Sequence, residues 1–428
     1  MTNKLSVKIG LWLYNIIWSM VVPFLRLNGR LADGFEQRTL RCRLPRAELW
    51  IQAASAGEAY LARELLDKLE PHHPARIHVT TNTRQGMEIL ERAINEINTH
   101  EKIGSISAAY FPFDKPAFMD KAVKSIRPHT MVLLESEMWP GLLAALKKSG
   151  CKTLIINGRI RSKSLSRYLK WPALWRAIKP HKILAISEDD ARRFADLFGN
   201  EHVAVMPNIK FDRFDSLDTK RLEQNPLEKI LPDGIPFIVL GSIRQAEEPL
   251  LEKIIKRVCQ KKPGLIIGLF PRHLHRIDFW QAALDTLGLT WVLRSRINQN
   301  LTDRTVILWD TFGELSDAYA LAHAAFVGGS LAPLGGQNFL EPLTHGVVPV
   351  IGPSWENFAW VGTQVVKTGL VRVARDWRGV VDLLLSDVNR PSVHESVRKK
   401  ALKYIQDRQG GTAQAAGIIS ETLDDTQI

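Results

Sequence analysis

Phe326 to Phe358, FVGGSLAPLGGQNFLEPLTHGVVPVIGPSWENF, is the stretch that most limits what this chain can fold into. It begins at the end of an apolar run, crosses Gly328, Gly329 and Ser330 and then Gly335 and Gly336, and predicts a helix opening at Leu340-Glu341-Pro342. Proline is at ease in a first helical turn, where its missing N–H is not needed. The helix is predicted to stop at Gly346, with a buried strand over Val347 to Ile351 closed by Gly352-Pro353. Glycines let a backbone approach a ligand closely, and the N–H groups of a helix start favour phosphate. A nucleotide mono- or diphosphate is therefore expected here, although a plain turn would use the same glycines. Neither the dinucleotide fingerprint nor a Lys-Ser/Thr phosphate loop is present, which points away from dehydrogenases and NTPases.

Strand and helix signals alternate along the rest of the chain. Leu49 to Ala54 reads as a buried strand followed by Ser55-Ala56-Gly57-Glu58 and a helix over Ala59 to Leu69. Ile77 to Thr81 is a second strand, with a helix over Met87 to Ile97. Met131 to Leu134 ends in Glu135-Ser136-Glu137-Met138-Trp139-Pro140, and Thr153 to Ile156 ends in Asn157-Gly158-Arg159. The alternation predicts parallel sheets with helices on both faces, whose ligands bind at the carboxyl ends of strands. Glu58 falls there, where a carboxylate also complements a helix dipole without any chemistry. Glu135 and Glu137, if extended, point to opposite sides, so at most one of them is expected to face the cleft. The pattern weakens between Pro207 and Pro236 before a second series begins at Phe237 to Leu240, so the domain boundary is placed there. Leu265 to Phe270 leads into Pro271-Arg272-His273, basic side chains suited to a phosphate.

With 428 residues the chain is long enough for two domains. Lys and Arg exceed Asp and Glu by 57 − 45 = 12, which favours anionic partners. The 3 cysteines lack metal or disulfide spacing and fit a reducing compartment. Ile9 to Leu25 is apolar and uncharged, flanked by Lys8 and Arg26, and carries Trp12, Tyr14 and Trp18, residue types of the membrane interface. It predicts a membrane-anchoring or membrane-embedded helix; whether it spans or lies in the bilayer stays open. Between Arg159 and Lys182 eight Lys or Arg occur with no acid, interleaved with Tyr168, Trp171 and Trp175. That segment is expected to meet lipid phosphates. No nucleic-acid recognition motif accompanies it.

The motifs taken together resemble one family. Ser55-x-Gly57-Glu58, Thr80-Thr81-x-Thr83, Phe113-Asp114, Glu135-x-Glu137-x-Trp139-Pro140, Asn157-x-Arg159 and Asn208-x-Lys210-Phe211-Asp212 are followed by Pro271-Arg272-His273, Asp310-Thr311-x-Gly313-Glu314-Leu315, and the 326–342 glycine loop ending Asn338-x-Leu340-Glu341-Pro342. In that order, over nearly the whole chain, they are similar to the 3-deoxy-D-manno-octulosonic acid (Kdo) transferases of lipopolysaccharide assembly.

The resemblance implies an α/β fold of GT-B type: two Rossmann-like parallel-sheet domains facing a cleft, with an N-terminal apolar membrane-anchoring helix. The expected division is 1–30 for the anchor, 31–215 for an acceptor domain and 225–428 for a donor domain. It implies inverting transfer of Kdo from CMP-Kdo to a lipid A precursor (lipid IVA) at the cytoplasmic face of the inner membrane, without a metal or other cofactor. Glu58 would be the general base, supported by Glu137 or Glu135; Arg272, Gly328, Gly329, Ser330, Gly335, Gly336 and Asn338 would hold CMP, with Glu341 near the ribose. Ser55, Thr81, Arg159 and Lys210 would complete the acceptor side, and the 9–25 and 159–182 segments would meet the membrane. The chain departs from the family at Gln337, where histidine is usual, at Ser242-Ile243-Arg244-Gln245-Ala246, which lacks a glycine and a carboxylate, and at Arg161. A related GT-B transferase using another CMP- or UDP-sugar, or another envelope lipid, is the alternative.

Overall fold

The computed structural model describes residues 2–97, 103–214, 225–232, 234–297, 301, 305–390 and 393–425. The boundary expected at 215–225 falls almost wholly outside them. The chain divides into two compact units, Met1–Asp215 together with Arg408–Ile428, and Ser216–Asp407.

The first unit is built on seven strands, β1 (Leu49–Gln52), β2 (Ala75–Thr81), β3 (Ile103–Tyr110), β4 (Thr130–Leu134), β5 (Lys152–Gly158), β6 (Lys182–Ala185) and β7 (Val203–Val205). They lie in the order β3-β2-β1-β4-β5-β6-β7. All pairings are parallel, with Leu49 beside both Ile77 and Thr130. The order reverses between β1 and β4, so the crevice that parallel sheets use for ligands opens over the ends of these two strands. β1 is buried along its whole length and apolar up to its last residue, Gln52, as befits a strand covered on both faces.

The second unit repeats the plan with β8 (Phe237–Ile243), β9 (Ile266–Pro271), β10 (Trp291–Leu293), β11 (Val306–Leu308), β12 (Ala324–Val327), β13 (Pro349–Ile351) and β14 (Arg372–Val373). Its order is β10-β11-β9-β8-β12-β13-β14, again parallel, with the reversal between β8 and β12. The doubly wound parallel-sheet class expected from the alternation is the one observed, twice.

Two terminal segments differ from expectation. The C-terminal helix Gly411–Asp424 belongs to the first unit, where Ala415, Ala416, Ile419 and Leu423 pack with Leu49, Ile51 and Leu65. Its start is fastened by the Asp212 carboxylate, which accepts from the Gly410 amide at 2.8 Å and from the Thr412 amide and hydroxyl, each at 2.6 Å. The N-terminal helix runs over Thr2–Leu25 and is no separate 1–30 body. Val7 is buried in the core of the first unit, Gly10 leaves no room for a side chain against the Trp171 ring, and Trp18 stacks on Phe113 at 5.9 Å. The opposite side exposes Leu5, Ile9, Trp12, Leu13, Ile17, Met20 and Phe24, a stripe at helical spacing. Leu5–Leu25 is long and apolar enough to cross a membrane.

Candidate active site

In the first unit, β1 ends at Gln52 and Ser55 caps the helix Ala56–Lys68. The Glu58 amide donates to Ser55 Oγ at 3.4 Å, while Glu58 Oε2 accepts from the amides of Ala54 at 2.5 Å and Ser55 at 3.3 Å. Glu58 thus closes a capping box, the simple role its position allows. Its surroundings go further. Glu58 is buried, and its carboxyl is pushed up to about 8, first by loss of water and then by the negative charges of Glu137 and Glu135, with the two amides pulling the other way. A helix cap alone requires no second and third carboxylate beside it.

Those carboxylates come from the turn after β4. Glu137 is buried, and its Oε2 accepts from the Trp139 indole N–H at 2.5 Å and from Gln52 Nε2 at 3.4 Å. Burial raises the Glu137 carboxyl, these two donors lower it, and Glu135 raises it again. Gln52 is itself held, since its Oε1 accepts from the Thr80 hydroxyl at 2.6 Å, and Trp50 donates to that hydroxyl at 2.8 Å. The row Trp50, Thr80, Gln52, Glu137, Trp139 fixes the carboxylate from beneath.

The expectation that only one of Glu135 and Glu137 faces the crevice is corrected. Glu135 adopts a left-handed conformation with φ 56°, and the Met138 amide turns back to Ser136 O at 2.9 Å. The segment is a turn, so the alternation of an extended strand does not apply. Lys210 Nζ bonds Glu135 Oε1 at 2.5 Å. The Arg159 amide approaches Glu135 O at 3.4 Å, and Thr81 is fully buried at the end of β2. Ser55, Glu58, Glu135, Glu137, Arg159 and Lys210 therefore gather at one end of the sheet. Gln52, Thr80 and Trp139 complete the set; Thr80 and Trp139 lie inside quoted motifs, but Gln52 sits within an apolar run and gave no signal.

In the second unit, the loop expected to cradle a phosphate is braced by side chains of the protein. Glu247, fully buried after β8, accepts from the amides of Gly329 at 2.5 Å, Ser330 at 2.9 Å and Leu331 at 2.8 Å. The Ser330 hydroxyl donates to Val327 O at 2.7 Å and accepts from the Gly352 amide at 2.8 Å. Gly335 donates to Ser354 Oγ at 2.9 Å and Gly336 to Gly329 O at 2.6 Å. Gly328 has no room for a side chain against Ser242 O. These groups shape the loop through its own carboxylate and hydroxyls, and their N–H groups are occupied. The helix after the loop runs over Leu340–Thr344 and stops as expected at Gly346, which has φ 86°, while β13 begins only at Pro349.

A cationic group stands at the ends of β8 and β9. Arg272 is exposed there, with its amide anchored to Ile243 O at 2.8 Å. His273 is held below the usual imidazole range by burial and by Arg244, His275 and Arg272 around it. Glu341 is raised by burial and drawn back by Arg272, so these two side chains share one electrostatic environment. Asn338 is exposed and its Oδ1 accepts from the Leu340 amide at 3.2 Å.

Residues 26–213 match the family model described as 3-deoxy-D-manno-octulosonic-acid transferase (kdotransferase). The chain is similar to the 3-deoxy-D-manno-octulosonic acid transferase of Bordetella pertussis, 30% identical over 88% of this chain and 86% of that one. A transferase of the same description from Haemophilus influenzae is 28% identical over 80% of this chain and 79% of that one. Among solved structures, UDP-GlcNAc 2-epimerase from Neisseria meningitidis bound to UDP-GlcNAc shares the fold, with a TM-score of 0.54 at 14% identity over 88% of this chain and 99% of that one. Two doubly wound sheets of the GT-B kind, and a relative at this identity across most of both chains, place the protein in the Kdo transferase family, as a glycosyltransferase of lipopolysaccharide biosynthesis.

Proposed function

We propose that this glycosyltransferase moves Kdo from CMP-Kdo to a phosphorylated, acylated glucosamine disaccharide, the lipid IVA type of acceptor, with inversion. The observation that carries the reading is Glu58: a buried carboxyl beside two others, held at about 8. A sugar hydroxyl is a poor nucleophile until its proton has somewhere to go, and a general base is most effective when its pKa lies near the working pH. Glu58 takes the proton as the acceptor oxygen bonds to the anomeric carbon of Kdo; the bond from that carbon to the CMP phosphate oxygen breaks, and CMP leaves with the electron pair. A single displacement of this kind inverts the centre. Arg272, with Arg244 beside His273, supplies positive charge for the leaving phosphate in place of a metal. Glu137, fixed by Gln52 and Trp139, keeps the proton affinity of Glu58 high.

The acceptor is an anionic lipid, and the chain offers features suited to one. The apolar stripe of the N-terminal helix and the basic 159–182 segment, whose Trp171 packs on Gly10 of that helix, are contiguous and fit the cytoplasmic face of the inner membrane. The test is transfer of label from CMP-Kdo to a tetraacylated lipid A precursor by detergent-solubilised protein. Transfer by the wild type, lost in Glu58→Ala with cytidine monophosphate still bound, is the expected result. Cytidine binding with no transfer by either protein would overturn the acceptor or the sugar, and no cytidine binding would overturn the donor.

A further inference from the structure

The side of the N-terminal helix that faces the protein is polar at its centre, and its contacts lead toward the candidate catalytic carboxylates. Tyr14 donates to Asp114 Oδ2 at 3.0 Å, and the Ala117 amide donates to Asn15 Oδ1 at 3.1 Å. Asp114 is completely buried and carries two more bonds, from the Gly141 amide to Oδ2 at 2.9 Å and from the Leu142 amide to Oδ1 at 2.7 Å. Those amides open the helix Pro140–Ser149, which follows directly on Trp139 and Glu137. A side chain at Gly141 would come within 2.6 Å of Asp114 O, so the two segments meet at backbone distance. Trp139 packs on Phe111 at 5.6 Å and donates its indole N–H to Glu137.

From these contacts we infer that Asp114 is a positioning residue for the Glu137 turn, and that Tyr14 makes the N-terminal helix part of the active-site framework. Three donors hold Asp114, and one of them comes from a helix whose other side exposes Ile9, Trp12, Leu13, Ile17 and Met20. A buried carboxylate depends on its full set of donors. When Tyr14 is withdrawn, Asp114 loses one, the 139–142 backbone is free to shift, and the Trp139 to Glu137 bond shifts with it. The helix that is suited to meet a lipid surface therefore also sets the geometry of the chemical step. The inference rests on the assignment of Glu58 and Glu137 proposed above, so its test has a readout that does not depend on turnover.

Tyr14→Phe and Asp114→Asn are made in the full-length protein, with Ser19→Ala, on an exposed part of the same helix, as control. The expected result for Tyr14→Phe is a kcat lowered about tenfold, an unchanged KM for CMP-Kdo, a melting midpoint lowered by only a few degrees, and a displaced indole N–H resonance for Trp139 in 15N-tryptophan-labelled protein. Ser19→Ala moves none of these. Combining Tyr14→Phe with Asp114→Asn should cost no more than Asp114→Asn alone, because both break one path. An unmoved Trp139 resonance in Tyr14→Phe, or effects of the two substitutions that multiply, overturns the inference. Absence of transfer by the wild type overturns the catalytic assignment instead, and the Trp139 resonance still decides whether the helix reaches the Glu137 turn.

Discussion

Glu58 and Glu247 occupy the same topological place in the two units. Each follows the strand beside the reversal of its sheet, each begins a helix, and each is buried with an acceptor bond to the backbone before it. Their surroundings separate them. Glu247 reaches to the neighbouring strand's loop and takes three amides of the chain at 329–331. Its charge is spent on shape. Glu58 receives two amides on one oxygen and meets two further carboxylates, and its proton affinity rises. A fold that repeats its frame can thus use one carboxylate as a strut and the other as a base, and the deciding variable is what faces it across the reversal point: N–H donors in one unit, negative charge in the other.

The comparison can be broken most sharply at Glu58. Glu58→Gln is expected to lower transfer by on the order of a thousandfold, with the affinity for cytidine monophosphate unchanged and the urea midpoint not lowered; a loss of stability matching a loss of activity would mean that Glu58 too is a strut. At Glu247 the effects exchange. Glu247→Ala leaves three buried amides without an acceptor, which is expected to destabilise the protein by about 4 kcal/mol in urea unfolding; an unchanged midpoint would show that the loop holds its form without the carboxylate. The mildest probe is pH. Because Glu58 must be unprotonated to act, kcat/KM should rise with pH and level off near 8, and Glu58→Gln should remove that inflection. The stability linkage has the opposite slope. A carboxyl raised from 4.5 to about 8 on folding contributes stability that is full below 4.5 and lost as pH climbs through about 8. Unfolding free energy measured across that window in wild type and Glu58→Gln should converge at low pH and part as pH rises.

The frame was legible because buried parallel strands announce themselves as apolar runs: Leu49 to Ala54, Met131 to Leu134 and Phe326 to Val327 need no context. β3 is not legible, since Ser105, Ser107, Ala108 and Ala109 give an edge strand little apolar weight. The place of the C-terminal helix in the first unit is not legible, because nothing local records that its apolar face is complementary to Leu49 and Leu65 rather than to nearer neighbours. Glu58 and the Glu135 to Trp139 turn were found through their motifs, while the closeness of all three carboxylates depends on one left-handed residue at Glu135 that sequence periodicity does not reveal. The bracing of the glycine loop is not legible in the sequence. Its glycines are real turn-makers, with Gly329, Gly335 and Gly336 all at positive φ, but the acceptor for their neighbours' N–H groups lies some eighty residues earlier, at Glu247.

The return of the C-terminal helix to the first unit has a consequence for how the protein is made. That unit is interrupted by Ser216–Asp407, so on a ribosome adding about 5–20 residues per second its nascent sheet waits on the order of ten to forty seconds for the helix that covers Leu49 and Leu65. During that interval an apolar face stays open, a natural client surface for a chaperone. The domain translated first is the last to be finished.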